Sequence, residues 1–185
     1  MSRHTADPRR AGGAVTHESI RQWCRRFGAD FARRLRRRAL RDGIQLHIEQ
    51  TQTQIERVEQ ALEKLDARPG RKVCEAMRGL VEEAQHEVEE HDKGPILDLV
   101  IVAGMQRIEH YEIAAYGTDI ALAKALGETE VAELLALTLE EEKQTDLKLT
   151  EVTEQHLMAE ALADGGDEDE KPTSARGSGA RRRTA

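Results

Sequence analysis

Ile108-Glu109-His110-Tyr111-Glu112-Ile113-Ala114-Ala115-Tyr116-Gly117 sits inside a long apolar stretch, and Leu139-Glu140-Glu141-Glu142-Lys143 answers it further on. Leu97, Ile101, Gly104, Ile108 and Ala115 recur at helical spacing, which places the first string on a helix. Advancing about 100° per residue puts Glu112 inside that apolar stripe, Glu109 on its edge beside Met105 and Tyr116, and His110 on the far side. On the second string the same placement turns Glu142 inward, leaves Glu141 and Asp146 at opposite edges and sends Glu140 outward. A carboxylate left unpartnered in a low-dielectric interior is costly, so each inward Glu requires a metal ion, a basic side chain or a proton.

The helices that carry these acids belong to a chain of 185 residues, long enough for one domain with a real core. Its charge is divided: residues 1–43 hold twelve Arg against four acids, residues 44–170 eleven basic residues against thirty-one acids. An acidic body lacks the clustered Lys and Arg that phosphate contacts need, so no nucleic-acid partner is expected for the folded domain. A basic leader tethering the bundle to nucleic acid or an anionic surface ranks below a merely solubilising terminus. No run is apolar enough to span a membrane and no secretory signal pattern opens the chain; the expectation is a cytoplasmic protein with no membrane partner. Cys24 and Cys74 read as reduced thiols or as one disulfide, and their spacing does not decide.

Residues 1–17 read as a disordered leader and 164–185 as a disordered tail, bracketing a helical domain over 18–163. A first helix is expected from Ser19, where Ser19 and Gln22 make a capping-box pattern and Ile20, Cys24, Phe27, Phe31 and Leu35 keep helical spacing. Gly43 marks a break or kink. The second helix, 44–66, alternates steps of four and three through Ile44, Ile48, Thr51, Ile55, Val58, Leu62 and Leu65, and Ala67-Arg68-Pro69-Gly70 stops it. A shorter helix over 73–90, with Met77, Val81, Ala84 and Val88 inward, reads as a crossover. The third bundle helix starts at Pro95, kinks at Gly117 and ends at Gly127; the fourth covers 130–162.

His47 falls inside the stripe of the second helix, with Gln50 and Gln54 at its border. An inward His alone is more often a hydrogen-bonded core residue, and a Glu run is usually a solvated face. The constellation says more: His47, Glu109, Glu112 and Glu142, on three helices, converge near mid-bundle, and imidazole with hard carboxylate oxygens suits iron or manganese. Gln50, Glu141, Asp146 and, on the first helix, Asp30 are candidates for additional ligands or supporting partners. The competing reading is a metal-free bundle in which Arg34 or Arg38 pairs with Glu112 and Glu142. Glu83-Ala84-Gln85-His86 is a decoy, since His86 faces opposite Ala84 and Val88.

His47-Ile48-Glu49-Gln50-Thr51, Gln54-Ile55-Glu56-Arg57, Cys74-Glu75-Ala76-Met77, Gly79-Leu80-Val81-Glu82-Glu83, Glu109 to Gly117 and Leu139-Glu140-Glu141-Glu142-Lys143 resemble, in order, the YciE/YciF family of bacterial ferritin-like stress proteins over residues 38–157. The resemblance implies an all-α, ferritin-like four-helix bundle with a crossover helix between helices 2 and 3, a homodimer, a di-iron centre and a ferroxidase or stress-protective role. Two positions depart from that pattern. Gln50 stands where the family has a Glu, and residues 18–40 contain nothing like the family's Ala-Glu-Lys-Gln-Leu run.

Overall fold

The long helix Arg38–Lys64 begins without a cap of its own. Leu35 and Arg37 are extended, no side chain of Arg37 bonds the first turn, and the two N–H groups leading into the helix are instead accepted by Asp98: Arg36 N–H to Oδ1 at 2.9 Å and Arg37 N–H to Oδ2 at 3.3 Å. That buried carboxylate, fully satisfied by backbone, pins the start of one bundle helix to the first turn of another.

The computed structural model describes residues 28–70 and 73–165, and these contain no strand. In order they form α1 (Ala29–Arg34), α2 (Arg38–Lys64), α3 (Glu75–Glu89), α4 (Pro95–Leu126), α5 (Thr129–Val152), a π-helical turn (Thr153–Leu157) and α6 (Met158–Gly165). The fold is the expected all-α bundle, with α3 as the crossover between α2 and α4. The expected leader, residues 18–27 with Cys24, and the tail from 166 lie outside the described residues, as does the side chain of Asp30. No described helix is long and apolar enough to cross a membrane.

Several boundaries correct the sequence-based expectation. The break falls at Leu35, not Gly43; α2 runs straight through Gly43, and Leu35 leaves helical geometry to bury its side chain completely. α4 runs through Gly117 to Leu126, the end expected for it. Gly127, at φ 81°, closes α4: Glu128 N–H reaches Ala123 O at 2.9 Å and Gly127 N–H reaches Lys124 O at 3.1 Å. The same two-bond closure ends α2 on Asp66, at φ 50°, with Ala67 N–H to Leu62 O at 2.9 Å and Asp66 N–H to Glu63 O at 3.1 Å. The expected fourth helix is divided by the π-helical turn, a wider local winding that brings Leu157 into the core.

Packing follows from the stripes. At one end Leu40 and Ile44 of α2 join Leu97, Ile101, Val102 and Met105 of α4 and Leu149 of α5; at the other, Ala61, Tyr116, Ile120, Val131 and Leu135 do the same. Between these apolar layers the same three helices bury His47, Thr51, Gln54, Glu109, Glu112, Thr138 and Glu142. Met77, Val81, Ala84 and Val88 of α3 point inward as expected, Met77 and Val81 meeting Ile55 and Ile108. Gly104 lets α3 approach α4: a Cβ there would lie 2.9 Å from the Cβ of Ala84.

Candidate metal centre

The polar layer has a focus. His47 from α2, Glu109 from α4 and Glu142 from α5 each offer a ligand atom, and these atoms lie within 4.8 Å of one another. All three residues are buried, and both oxygens of Glu109 and of Glu142 lack a hydrogen-bond partner among the described residues. His47 Nε2 sits 3.2 Å from Glu109 Oε1 without hydrogen-bond alignment. Its other nitrogen, Nδ1, lies 3.3 Å from Thr145 Oγ1, which in turn donates to the Glu141 carbonyl. The ring is thus held through Nδ1 with Nε2 aimed at the carboxylates, the arrangement a ligating imidazole uses.

Burial dominates the electrostatics. It pushes the Glu142 carboxyl up to about 11, aided by the charges of Glu112 and Glu109. Glu112 is pushed up to about 8 by burial and by Glu109, with His47 working the other way. For His47 burial disfavours the charged ring, but the close approach and charge of Glu109, with the charge of Glu112, outweigh it and raise its pKa. Three inward acids and one imidazole therefore share a space with too little positive charge. Four orphaned oxygens converging there fit a hard divalent cation.

Other candidates fall elsewhere. Glu112 is buried beside the three, coupled to Glu109, His47 and Glu142 by charge. Glu109, expected on the edge, is wholly buried, because α4 packs against α3 on one flank and α5 on another and so buries a wider arc than one stripe. Glu141 is turned to α2: Arg57 grips both its oxygens, at 2.5 and 2.7 Å, and Gln54 donates to Oε2 at 3.2 Å. These bonds hold Glu141 below the usual carboxylate range despite the opposing effect of its partial burial. Gln50 adds smaller hydrogen-bond contributions to both His47 and Glu141. Asp146 is bound to Gln106 at 3.1 Å and lies 3.3 Å from His110, whose ring is exposed as expected. His86 is solvated beside Glu90.

The arginine pairing expected in the alternative reading does not occur. Arg34 donates to the His91 carbonyl at 3.0 Å and Arg38 pairs with Asp42 at the surface. The arginine that meets an acid of this layer is Arg57, which sequence spacing left unremarked within a motif; its signal was a single basic residue three positions after the border residue Gln54. Thr145, also missed, lies three positions after Glu142 and four before Leu149, so the spacing of the inward stripe itself was its signal.

Of the tyrosines, Tyr116 packs in the apolar layer next to the acids, where burial first and then Glu112 and Glu142 raise its pKa well above the ordinary value. The Tyr111 hydroxyl lies 2.9 Å from Cys74 Sγ, a hydrogen bond that, with burial, pushes it up to about 12. An open groove of about 550 Å³, lined by Leu80, Gln106, Arg107, His110 and Tyr111, includes none of the buried ligand set.

Residues 25–162 match the family model described as Domain of unknown function (DUF892). The chain belongs to the DUF892 family. Its DUF892 relatives include protein YciF of Escherichia coli K12, 43% identical over 125 residues, which span 67% of this chain and 75% of YciF. The crystal structure of the E. coli stress protein YciF superposes with a TM-score of 0.70 at 41% identity, covering 74% of this chain and 86% of that one. YcfI of Rhodopseudomonas palustris follows at TM-score 0.69 and 38% identity, covering 72% and 85%. A Xanthomonas campestris protein at 23% identity and TM-score 0.60, covering 83% and 90%, shares the fold. The DUF892 match takes in the whole polar layer, since His47, Glu109, Glu112 and Glu142 all lie within the matched residues.

Proposed function

We propose that this chain is a stress-response protein that holds non-haem iron, or manganese, on His47, Glu109, Glu112 and Glu142, and that it oxidises Fe(II) there. The observation that carries the reading is the set of four carboxylate oxygens, on Glu109 and Glu142, buried without a partner beside His47 Nε2. A bound iron ion supplies transfer of an electron to dioxygen or peroxide. The protein's part is to present those oxygens already desolvated and to fix the imidazole through Thr145. Glu112, buried beside them, completes the carboxylate set. Kinship with E. coli YciF, a stress protein, supports the physiological setting.

We propose further that the molecule is a cytoplasmic homodimer; Leu122, Leu126, Leu137 and Leu147 stand exposed and supply apolar surface for a second copy. The test of the metal reading is an anaerobic Fe(II) titration of chelator-treated protein followed by admission of oxygen. Saturable binding and an oxygen-dependent near-ultraviolet absorbance are expected. Binding no greater than that of a Glu109→Gln, Glu142→Gln double variant would overturn it.

A further inference from the structure

Ferritin-like centres that hold two metal ions draw on six side chains: a Glu from each of two helices and a Glu-x-x-His pair from each of the other two. The described residues of this chain bring one imidazole and three carboxylates to the polar layer, from three helices. The described residues placed to extend that set are all disqualified. Gln50, one turn beyond His47, offers a neutral amide. Glu141, beside Glu142, has one oxygen taken by Arg57 at 2.7 Å and the other shared between Arg57 at 2.5 Å and Gln54 at 3.2 Å. Asp146 is committed to Gln106 and His110.

We infer that this centre takes a single divalent ion, and that Arg57, by clamping both oxygens of Glu141 and so withholding a further carboxylate, is the residue that sets this number. The inference rests on the metal reading proposed above and departs from the di-iron centre implied by the resemblance to the YciE/YciF family. Arg57 is a positioning residue here; it donates to Glu141 and touches no ligand atom of the focal three.

The experiment loads chelator-treated full-length chain with excess Mn(II), removes unbound metal, and measures manganese per chain together with the electron paramagnetic resonance spectrum. One manganese per chain with the six-line spectrum of an isolated ion is expected. Two per chain with an exchange-coupled spectrum overturns the single-ion inference and leaves the metal reading standing. No retained manganese, and no Fe(II) retained under anaerobic conditions, overturns both. The Arg57→Gln variant, checked for helicity, frees Glu141 and is expected to take up a second ion; remaining at one refutes the role of Arg57. Should that variant fail to fold, Arg57→Lys serves instead: it cannot grip both oxygens of Glu141 and is expected to take up a second ion, and remaining at one refutes the role of the clamp.

Discussion

Replacing Glu142 with Gln should stabilise the metal-free protein at neutral pH, although the residue is wholly buried in the core. Its folded-state pKa of about 11 lies far above the ordinary 4.5. Between those values the folded chain keeps a proton that the unfolded chain has released, so stability falls as pH rises through that window. At pH 7 the span above 4.5 is roughly 2.5 units at about 1.4 kcal/mol each, a penalty on the order of 3 kcal/mol. Gln, which has no proton to retain, escapes it. For a chain of this size that is a rise in Tm of roughly 6–12 °C. Thermal unfolding in chelator, followed by circular dichroism, should show E142Q above wild type at pH 7 and the gap closing as pH approaches 4.5. Glu112, raised to about 8, adds the same sign, so the wild-type apoprotein should itself gain stability on acidification from pH 7 to pH 5. Saturating Mn(II) should reverse the order, raising the Tm of wild type more than that of E142Q. A less stable E142Q in chelator at pH 7 would refute the reasoning, because it would mean that a cation of the protein already neutralises Glu142.

Further outcomes follow from other parts of the structure. Asp98→Ala removes the acceptor of two N–H groups at the start of α2 and should cost about 1–2 kcal/mol in urea unfolding, with Asp98→Asn in between; an unchanged midpoint would show that water replaces the bonds. Asp66→Gly relieves a left-handed backbone position and should stabilise by about 1 kcal/mol, read from the same denaturation curves. Cys74→Ala deletes the hydrogen bond that heads the causes raising Tyr111, so phenolate titration by ultraviolet absorbance should show its pKa falling from about 12 toward 10; no movement would place the cause in burial alone.

Much of the candidate site was legible because helical periodicity is geometric. His47, Glu112 and Glu142 fall inward by counting alone, and His110 and His86 fall outward by the same count, as the structure has them. Counting failed where a helix contacts more than one neighbour. Glu109 looked marginal beside a single stripe, yet the flanks of α4 are covered by both α3 and α5. It failed also where a residue obeys a distant partner: Leu35 breaks the first helix to fill the core, Asp98 caps a helix other than its own, and the turn at Thr153 rewinds to seat Leu157.

The sequence by itself determined that the chain forms helices, which acids those helices turn inward, and that the inward charge needs an answer. In Glu109-His110-Tyr111-Glu112 the spacing alone turns Glu112 inward and His110 outward, since side-chain direction along a helix follows from local backbone geometry. Only the tertiary structure decided how the acids are answered. Arg34 and Arg38 are drawn to the His91 carbonyl and to Asp42, Arg57 is drawn to Glu141, and Glu109 and Glu142 are left facing His47 with no hydrogen-bond partner among the described residues. Those pairings join residues far apart in the chain, and their distances are set by how α2, α4 and α5 pack against one another.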